Sequence, residues 1–283
     1  MIDISFLKEL DRFNIILKRR VLSKYHGERQ SRAQGQGLIF NDYRDYVPGD
    51  DFRAIDWKIY SRTDKFFIKQ FEEERNMTVH IIVDASGSMK YGRKITKFDY
   101  ASMIGMGFAY MALRNNEKFN FSTFSDSLNY LRARKGMNQL LNILGMLEKL
   151  KVDGKSELGR TLDEYKKYMH SKSFVVLISD FLYDIEDIKN VLSRYTKHEV
   201  VAIQVLDPDE RKLPMYGDMV LEDSELHSKL RTFISNRLIK GYRDKIEYHI
   251  HAIKDLCEHL GYDFISITTD MPIFDTFYAA MRV

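Results

Sequence analysis

The sequence is short of cysteine, of long apolar runs and of charge of any one sign, and each shortage removes a class of protein. A single cysteine, Cys257, among 283 residues excludes an internal disulfide and fits a reducing compartment, where its role is helix packing. Nowhere do about 18 consecutive apolar residues occur, so no segment has the composition of a membrane-spanning helix. Asp3, Lys8, Glu9, Asp11 and Arg12 interrupt the apolar residues of the N-terminus and spoil a signal-peptide core. The expectation is a cytoplasmic protein without direct membrane insertion. Lys and Arg number 44 against 41 Asp and Glu, and this balance of +3 predicts neither an acidic scavenger nor a nucleic-acid binder. Lys18-Arg19-Arg20, with Lys24, Arg29 and Arg32, offers weak nucleic-acid binding as an alternative. That stretch lacks interleaved aromatics, and a solvated helix end explains it more simply.

Enzyme signatures are also missing. There is no Gly-x-Ser-x-Gly elbow, no His-Glu-x-x-His pair and no Walker A loop. His249 and His251 lie two apart in a helical stretch and so face different ways. No catalytic residue and no organic cofactor are expected.

What is present is a core-forming chain, 44% apolar, of a length for one large domain with an appendage. Leu7, Leu10, Phe13, Ile16, Leu17 and Val21 recur at three- and four-residue spacings and predict a helix from Ile2 to about Leu22. Residues 38–76 are dense in charge and aromatics. Pro48-Gly49 has turn chemistry, Asp50 or Asp51 suits a helix cap, and 66–71 reads as extended. Residues 1–76 are therefore expected to form an N-terminal helix and a small β-rich appendage.

From Met77 to Val283 strand and helix signals alternate. Strands are expected at 79–83, 119–124, 174–179, 200–206 and 263–268, with an antiparallel edge strand at 127–133. Helices are expected at 96–113, 137–150, 158–170, 185–195 and 226–260, the last broken near Gly241, and a short one follows Pro272. This order predicts an α/β fold, a doubly wound and mostly parallel sheet with helices on both faces. Ligands of such sheets bind beyond the carboxyl ends of the strands.

Asp84-Ala85-Ser86-Gly87-Ser88 follows the apolar run 79–83, which places one acid and two hydroxyls where a buried strand stops. A polar turn that satisfies its own backbone is the plainer explanation of such a loop. A second strand, Leu177-Ile178-Ser179, also ends in an acid, Asp180, and the loop Asp153-Gly154-Lys155-Ser156-Glu157 opens a helix at the same expected rim. One carboxylate with neutral hydroxyls suits a hard cation such as Mg²⁺, or alternatively Mn²⁺ or Ca²⁺. Asp84, Ser86, Ser88, Ser156 and Asp180 are the candidate metal residues, with Thr161 a rival to Ser156. Gly87, Met89, Tyr91, Gly92, Asp126 and Tyr183 are candidates for the surrounding rim.

This constellation resembles the metal-ion-dependent adhesion site of von Willebrand factor A domains. The resemblance implies a Rossmann-type fold, Ser86 and Ser88 as direct ligands, Ser156 in the place commonly held by Thr, and Asp84 and Asp180 acting largely through water. It also implies a shell completed by an acidic side chain of a protein partner. The preceding block narrows the likeness. Tyr43-Arg44-Asp45-Tyr46-Val47-Pro48-Gly49-Asp50-Asp51, Arg53, Ile55-Asp56-Trp57-Lys58, Ser61-Arg62 and Phe71-Glu72-Glu73-Glu74-Arg75 are similar to the signature of the bacterial family called domain of unknown function 58. Ser179-Asp180-Phe181 and Leu206-Asp207-Pro208-Asp209-Glu210 continue it. By resemblance the partner is a MoxR-type AAA+ ATPase, and the protein is an adaptor in assembly or maturation of other proteins. Members often carry membrane helices ahead of this block, and this sequence shows none.

Arg44, Asp45, Asp50, Arg53, Asp56, Arg62, Glu74 and Arg75 supply opposite charges for a buried ion network, with a docking surface as the alternative. Trp57 is expected as a packing anchor. The enzyme alternative is Mg-dependent phosphoryl transfer through Asp84, in which Lys90, Lys94 or Lys155 would clamp phosphate.

Overall fold

The computed structural model describes residues 38–73, 77–222 and 229–280. The predicted N-terminal helix, its basic end and the Glu74-Arg75 pair lie outside the described residues. Contacts divide the chain into two compact units, Ile15–Asn76 and a larger one containing Met77–Val283.

In the smaller unit β1 (Leu38–Asp45) pairs antiparallel with β2 (Phe67–Glu73), with a register shift between Phe40 and Asp42. Between them runs α1 (Trp57–Thr63), capped by Asp56, whose carboxylate accepts the backbone N–H of Lys58 and Ile59. Asp51 caps the preceding turn through Arg53 N–H, so the acids of this block serve local helix starts. Of the residues expected in the ion network, Glu74 and Arg75 lie outside the described residues. Arg44 forks onto Asp50 at 2.6 and 2.8 Å, while Asp45, Arg53 and Arg62 are exposed. Trp57 is 55% exposed, with the rings of Tyr60 and Phe66 edge-on to it, so it is no buried anchor.

In the larger unit six strands are ordered β10-β7-β6-β3-β4-β5. They are β3 (Thr78–Asp84), β4 (Lys118–Phe124), β5 (Leu128–Asn129), β6 (Phe174–Ser179), β7 (Glu199–Leu206) and β10 (Asp263–Thr268). All neighbours run parallel except β4 and β5. This is the doubly wound α/β fold. The edge strand is shorter than expected, because beyond Asn129 the chain leaves the ladder and returns only as a bridge from Arg134 to Phe119.

Continuous apolar strands need cover on both faces. On one face lie α4 (Leu158–Lys166), α5 (Ile185–Leu192) and α7 (Asn236–Leu260), packed with Ile82, Leu177 and Ala202. Opposite are α2 (Lys97–Arg114) and α8 (Ile273–Ala280), with α3 (Met137–Lys149) beside α2. Two glycines let α2 approach: a Cβ at Gly105 would sit 2.5 Å from the Phe121 ring, and one at Gly107 would sit 1.9 Å from the Phe277 ring.

The stretch expected as one helix from Leu226 is a hairpin and a helix. β8 (Gly217–Glu222) pairs with β9 (Lys229–Ile234), and α7 begins only after Ser235, whose hydroxyl accepts Leu238 N–H. Its capping serine and the alternation Leu230, Thr232, Ile234 favour a strand here over helix. The helix then passes through Gly241 unbroken and ends at Gly261, with φ 72°. Among the described residues no helix is long and apolar enough to cross a membrane.

Candidate functional site

The strand order reverses at β3: the chain crosses from β3 to β4 on one side and later to β6 on the other. A crevice opens at such a switch point beyond the carboxyl ends of the strands. Asp84 is the last residue of β3 and Asp180 directly follows β6, its parallel neighbour, so both acids leave the sheet at the crevice.

Hydrogen bonds interlock the loops there. Gly87 N–H donates to Gly154 C=O at 2.9 Å, and Glu157 N–H donates to Ser125 C=O at 3.0 Å. Asp84 Oδ1 accepts Ser86 N–H at 2.9 Å. Its Oδ2 accepts the hydroxyls of Ser179 at 2.8 Å and Tyr183 at 2.6 Å. Ser88 donates to Asp180 Oδ2 at 2.7 Å, and the hydroxyls of Ser86 and Ser88 are 3.2 Å apart. Ser156 is hydrogen-bonded to the Tyr183 hydroxyl and so reaches Asp84 through one phenol. Thr161 turns away: its hydroxyl donates to Glu157 C=O inside α4 at 2.7 Å.

The rim residues divide. Gly87 and Met89 are buried, Met89 at 0% exposure, so neither lines an open rim. Met89 fills the core because the short turn Gly87–Lys90 folds inward at that position. Tyr91 is 38% exposed and Asp126 is exposed. Gly92, with φ 151°, is irreplaceable where it sits, since a Cβ would lie 2.1 Å from Ile95 C=O. Tyr183 is half-buried, and beside it a cleft of about 470 Å³ is lined by Leu182, Asp184, Asp187, Ile246 and His249.

Several participants carry no motif of their own in the sequence. Lys97, the first residue of α2, is fully buried and lies 2.8 Å from Asp180 Oδ2 and 2.8 Å from Glu210 Oε1. Glu210 belongs to α6 (Pro208–Lys212), where Asp207 and Glu210 form a reciprocal capping box. Phe181 holds a left-handed backbone, φ 51°, its N–H bonded to Ser179 Oγ and its C=O accepting His249 Nε2 at 2.7 Å. Such strain in a bulky residue persists only where the surroundings fix it. The Asp207-Pro208-Asp209-Glu210 motif and the Ser-Asp at the end of β6 were visible signals. Lys97 was not, because lysine at a helix start ordinarily reads as solvent-exposed.

Electrostatically the site is short of positive charge. Burial, then the charge of Asp180, pushes the Asp84 carboxyl up from 3.8 to about 6, and the hydrogen bonds from Tyr183 and Ser86 only partly offset this. Burial and the two acids also raise the Tyr183 phenol, which stays protonated and donating. The Lys97 ammonium is shared by Asp180 and Glu210, while Asp180 is a like charge beside Asp84. Among the described residues no group of three or more His, Cys, Asp or Glu is placed to hold a metal. Any ion here would therefore rest on hydroxyls. The donor set fits a hard cation on those terms: Ser88 gives its proton to Asp180, so Ser86 donates to Ser88 and keeps its own lone pairs, Ser88 retains one, and Asp84 is a buried acid with no cation paired to it among the described residues.

Residues 42–251, well over half of the chain, match the family described as "Protein of unknown function DUF58". The chain is 26% identical over 216 residues to the uncharacterized protein Mb1516 of Mycobacterium bovis, covering 75% of this chain and 68% of that protein. It is 27% identical over 141 residues to the uncharacterized protein MAV169 of Mycobacterium avium, covering 49% of this chain and 83% of the relative. Among solved structures, an aerotolerance-related membrane protein from Bacteroides fragilis is similar with a TM-score of 0.44 and 12% identity, over 73% of this chain and 98% of that one. The family match extends from the charged hairpin of the smaller unit into α7, past both acids of the switch point, and on that match the chain belongs to the DUF58 family.

Proposed function

We propose that the protein is a non-enzymatic, divalent-metal-dependent protein-interaction module of the von Willebrand A type, cytoplasmic, with Mg²⁺ or Mn²⁺ held at Ser86 and Ser88. The observation that carries this reading is the pairing of free hydroxyl lone pairs with a buried, uncompensated carboxylate at one sheet edge. Ser86 and Ser88 would touch the ion, while Asp84 and Asp180 accept hydrogen bonds and supply charge. A divalent ion with neutral ligands remains electrophilic, so an Asp or Glu from a partner can complete its shell. The partner inferred by resemblance is a MoxR-type AAA+ ATPase, with the protein serving as its adaptor.

Phosphoryl transfer is the weaker reading. Both Asp84 oxygens are occupied by hydrogen bonds and the residue has no exposure, so attack on phosphorus would have to displace Tyr183. Lys90, Lys94 and Lys155 are exposed, and Lys90 lies 3.1 Å from Asp153. Lys97 is committed to two carboxylates.

The test is capture of a MoxR-type AAA+ ATPase, with Mg²⁺ or EDTA, by wild type and by Ser86→Ala/Ser88→Ala. Capture that survives both EDTA and the double variant sinks the proposal. Turnover of a phosphatase substrate that Asp84→Asn abolishes would replace it with the enzyme reading.

A further inference from the structure

Lys97 is a charged residue of the crevice that the proposed function leaves without a task. Its side chain is fully buried, which penalises an ammonium, and it stands at the start of a helix, where the dipole disfavours a cation. Burial lowers its pKa, but Asp180 and Glu210 more than offset this, and the group is held charged. On the other side of the pair, Asp180 Oδ2 takes both the ammonium and the Ser88 hydroxyl, while Oδ1 accepts Leu182 N–H at 3.3 Å. Asp180 is thus fixed from three directions, whereas Asp84 has hydrogen bonds but, among the described residues, no cation.

We propose that Lys97 is a built-in counter-ion that holds Asp180 out of the inner shell of the metal, weakening the site for a free divalent cation and making a carboxylate from the partner necessary for tight binding. The inference rests on the metal-dependent reading above and deepens it. An ammonium and a metal ion compete for the charge of the same carboxylate, so each unit that Lys97 neutralises is withdrawn from the ion. The ion keeps more positive charge, and its attraction for an acidic partner rises accordingly. Metal and partner then bind cooperatively, each poorly alone. Glu210 modulates the competition, since it draws part of the Lys97 charge away from Asp180 while its other oxygen accepts Asp207 N–H at 3.0 Å.

The experiment is calorimetric titration of Mn²⁺ alone into the metal-free full chain, for wild type, Lys97→Met, Lys97→Arg and Glu210→Gln. Far-UV circular dichroism and the melting temperature in EDTA establish that each variant is folded. Lys97→Met is expected to tighten Mn²⁺ binding about tenfold or more, and Lys97→Arg to stay within about twofold of wild type. Glu210→Gln is expected to move the other way, because all of the Lys97 charge then falls on Asp180. This opposite sign keeps the idea refutable even if Lys97→Met does not fold. Unchanged or weaker binding in Lys97→Met overturns the counter-ion role, as does unchanged or tighter binding in Glu210→Gln. If neither wild type nor any variant binds Mn²⁺, the metal reading falls with it; if wild type binds and only these shifts fail, the metal reading stands and the role of Lys97 does not.

Discussion

Replacing Asp84 by Asn should stabilise the metal-free protein while removing its response to metal. The carboxylate has no exposure, and its pKa stands at about 6 where the unfolded chain would have 3.8. The folded state therefore binds the proton more tightly than the unfolded state. Below about pH 4 the group costs nothing; the cost grows as pH rises towards 6 and is complete above it. A rise from 3.8 to about 6 amounts to about 3 kcal/mol at neutral pH. An amide preserves the shape but must turn one N–H₂ towards Ser86 N–H or towards the hydroxyls of Ser179 and Tyr183. The hydroxyls can rotate to accept, at a cost of about 1 kcal/mol. The net gain is about 2 kcal/mol, a rise of about 4–8 °C in Tm for a domain of this size.

The assay is scanning calorimetry of the full chain in EDTA at pH 7.5 and at pH 4, then at pH 7.5 with excess Mn²⁺. Wild type should gain Tm from Mn²⁺ by mass action and Asp84→Asn should not. The gain of the variant over wild type should vanish and turn into a small loss at pH 4, where the wild-type acid is already protonated and the cost of the amide remains. A variant less stable than wild type in EDTA at pH 7.5, or a gain that does not change with pH, refutes the view that an uncompensated charge is stored at this strand end.

Three further outcomes are expected. Ser86→Ala/Ser88→Ala should abolish Mn²⁺-dependent stabilisation while lowering the metal-free Tm by no more than the loss of two modest hydrogen bonds, about 2 kcal/mol, readable in the same calorimeter. His80, whose pKa burial and then His198 press down from 6.5 to about 4, must charge on acid unfolding. Its own contribution to stability should fall by about 3 kcal/mol as pH drops from 6.5 to 4, against the opposite change at Asp84, and the difference between wild type and His80→Asn in urea titrations should isolate that loss. Gly107→Ala should cost about 1–3 kcal/mol, since its Cβ would lie 1.9 Å from the Phe277 ring, and a second change of Phe277→Leu should recover part of the loss in denaturant melts.

Legibility in the sequence followed periodicity. Strands such as 174–179, continuous in apolar residues and bounded by turns, were readable because burial on both faces leaves one pattern. The hairpin of Gly217–Glu222 and Lys229–Ile234 was not, since its strands are short and place apolar residues on the exposed side, Val220 and Leu230 at 61% and 63% exposure, which blurs the alternation. The edge strand failed for a related reason, as two paired residues leave almost no alternation to detect. At the site, the acids were legible because each ends an apolar strand. Tyr183 and Ser179 were legible only as neighbours of Asp180. Lys97 was hidden, because burial of a lysine is decided by Asp180 and Glu210, which lie 83 and 113 positions away.

The switch point gathers several costs in one place. A buried acid without a cation, a left-handed phenylalanine and a lysine under a helix start all occur within one hydrogen-bonded cluster. A purely structural turn would be more stable with these removed, because a polar loop needs only its backbone satisfied. On the metal-dependent reading proposed above, this stored charge and strain is relieved by a ligand from outside. The ordering of effects follows from that: a cation should relieve Asp84 first, and a partner carboxylate should then relieve the cation. Stabilisation by Mn²⁺ and acidic partner together should therefore exceed the sum of their separate effects, and simple additivity would mean that the two ligands do not share a centre.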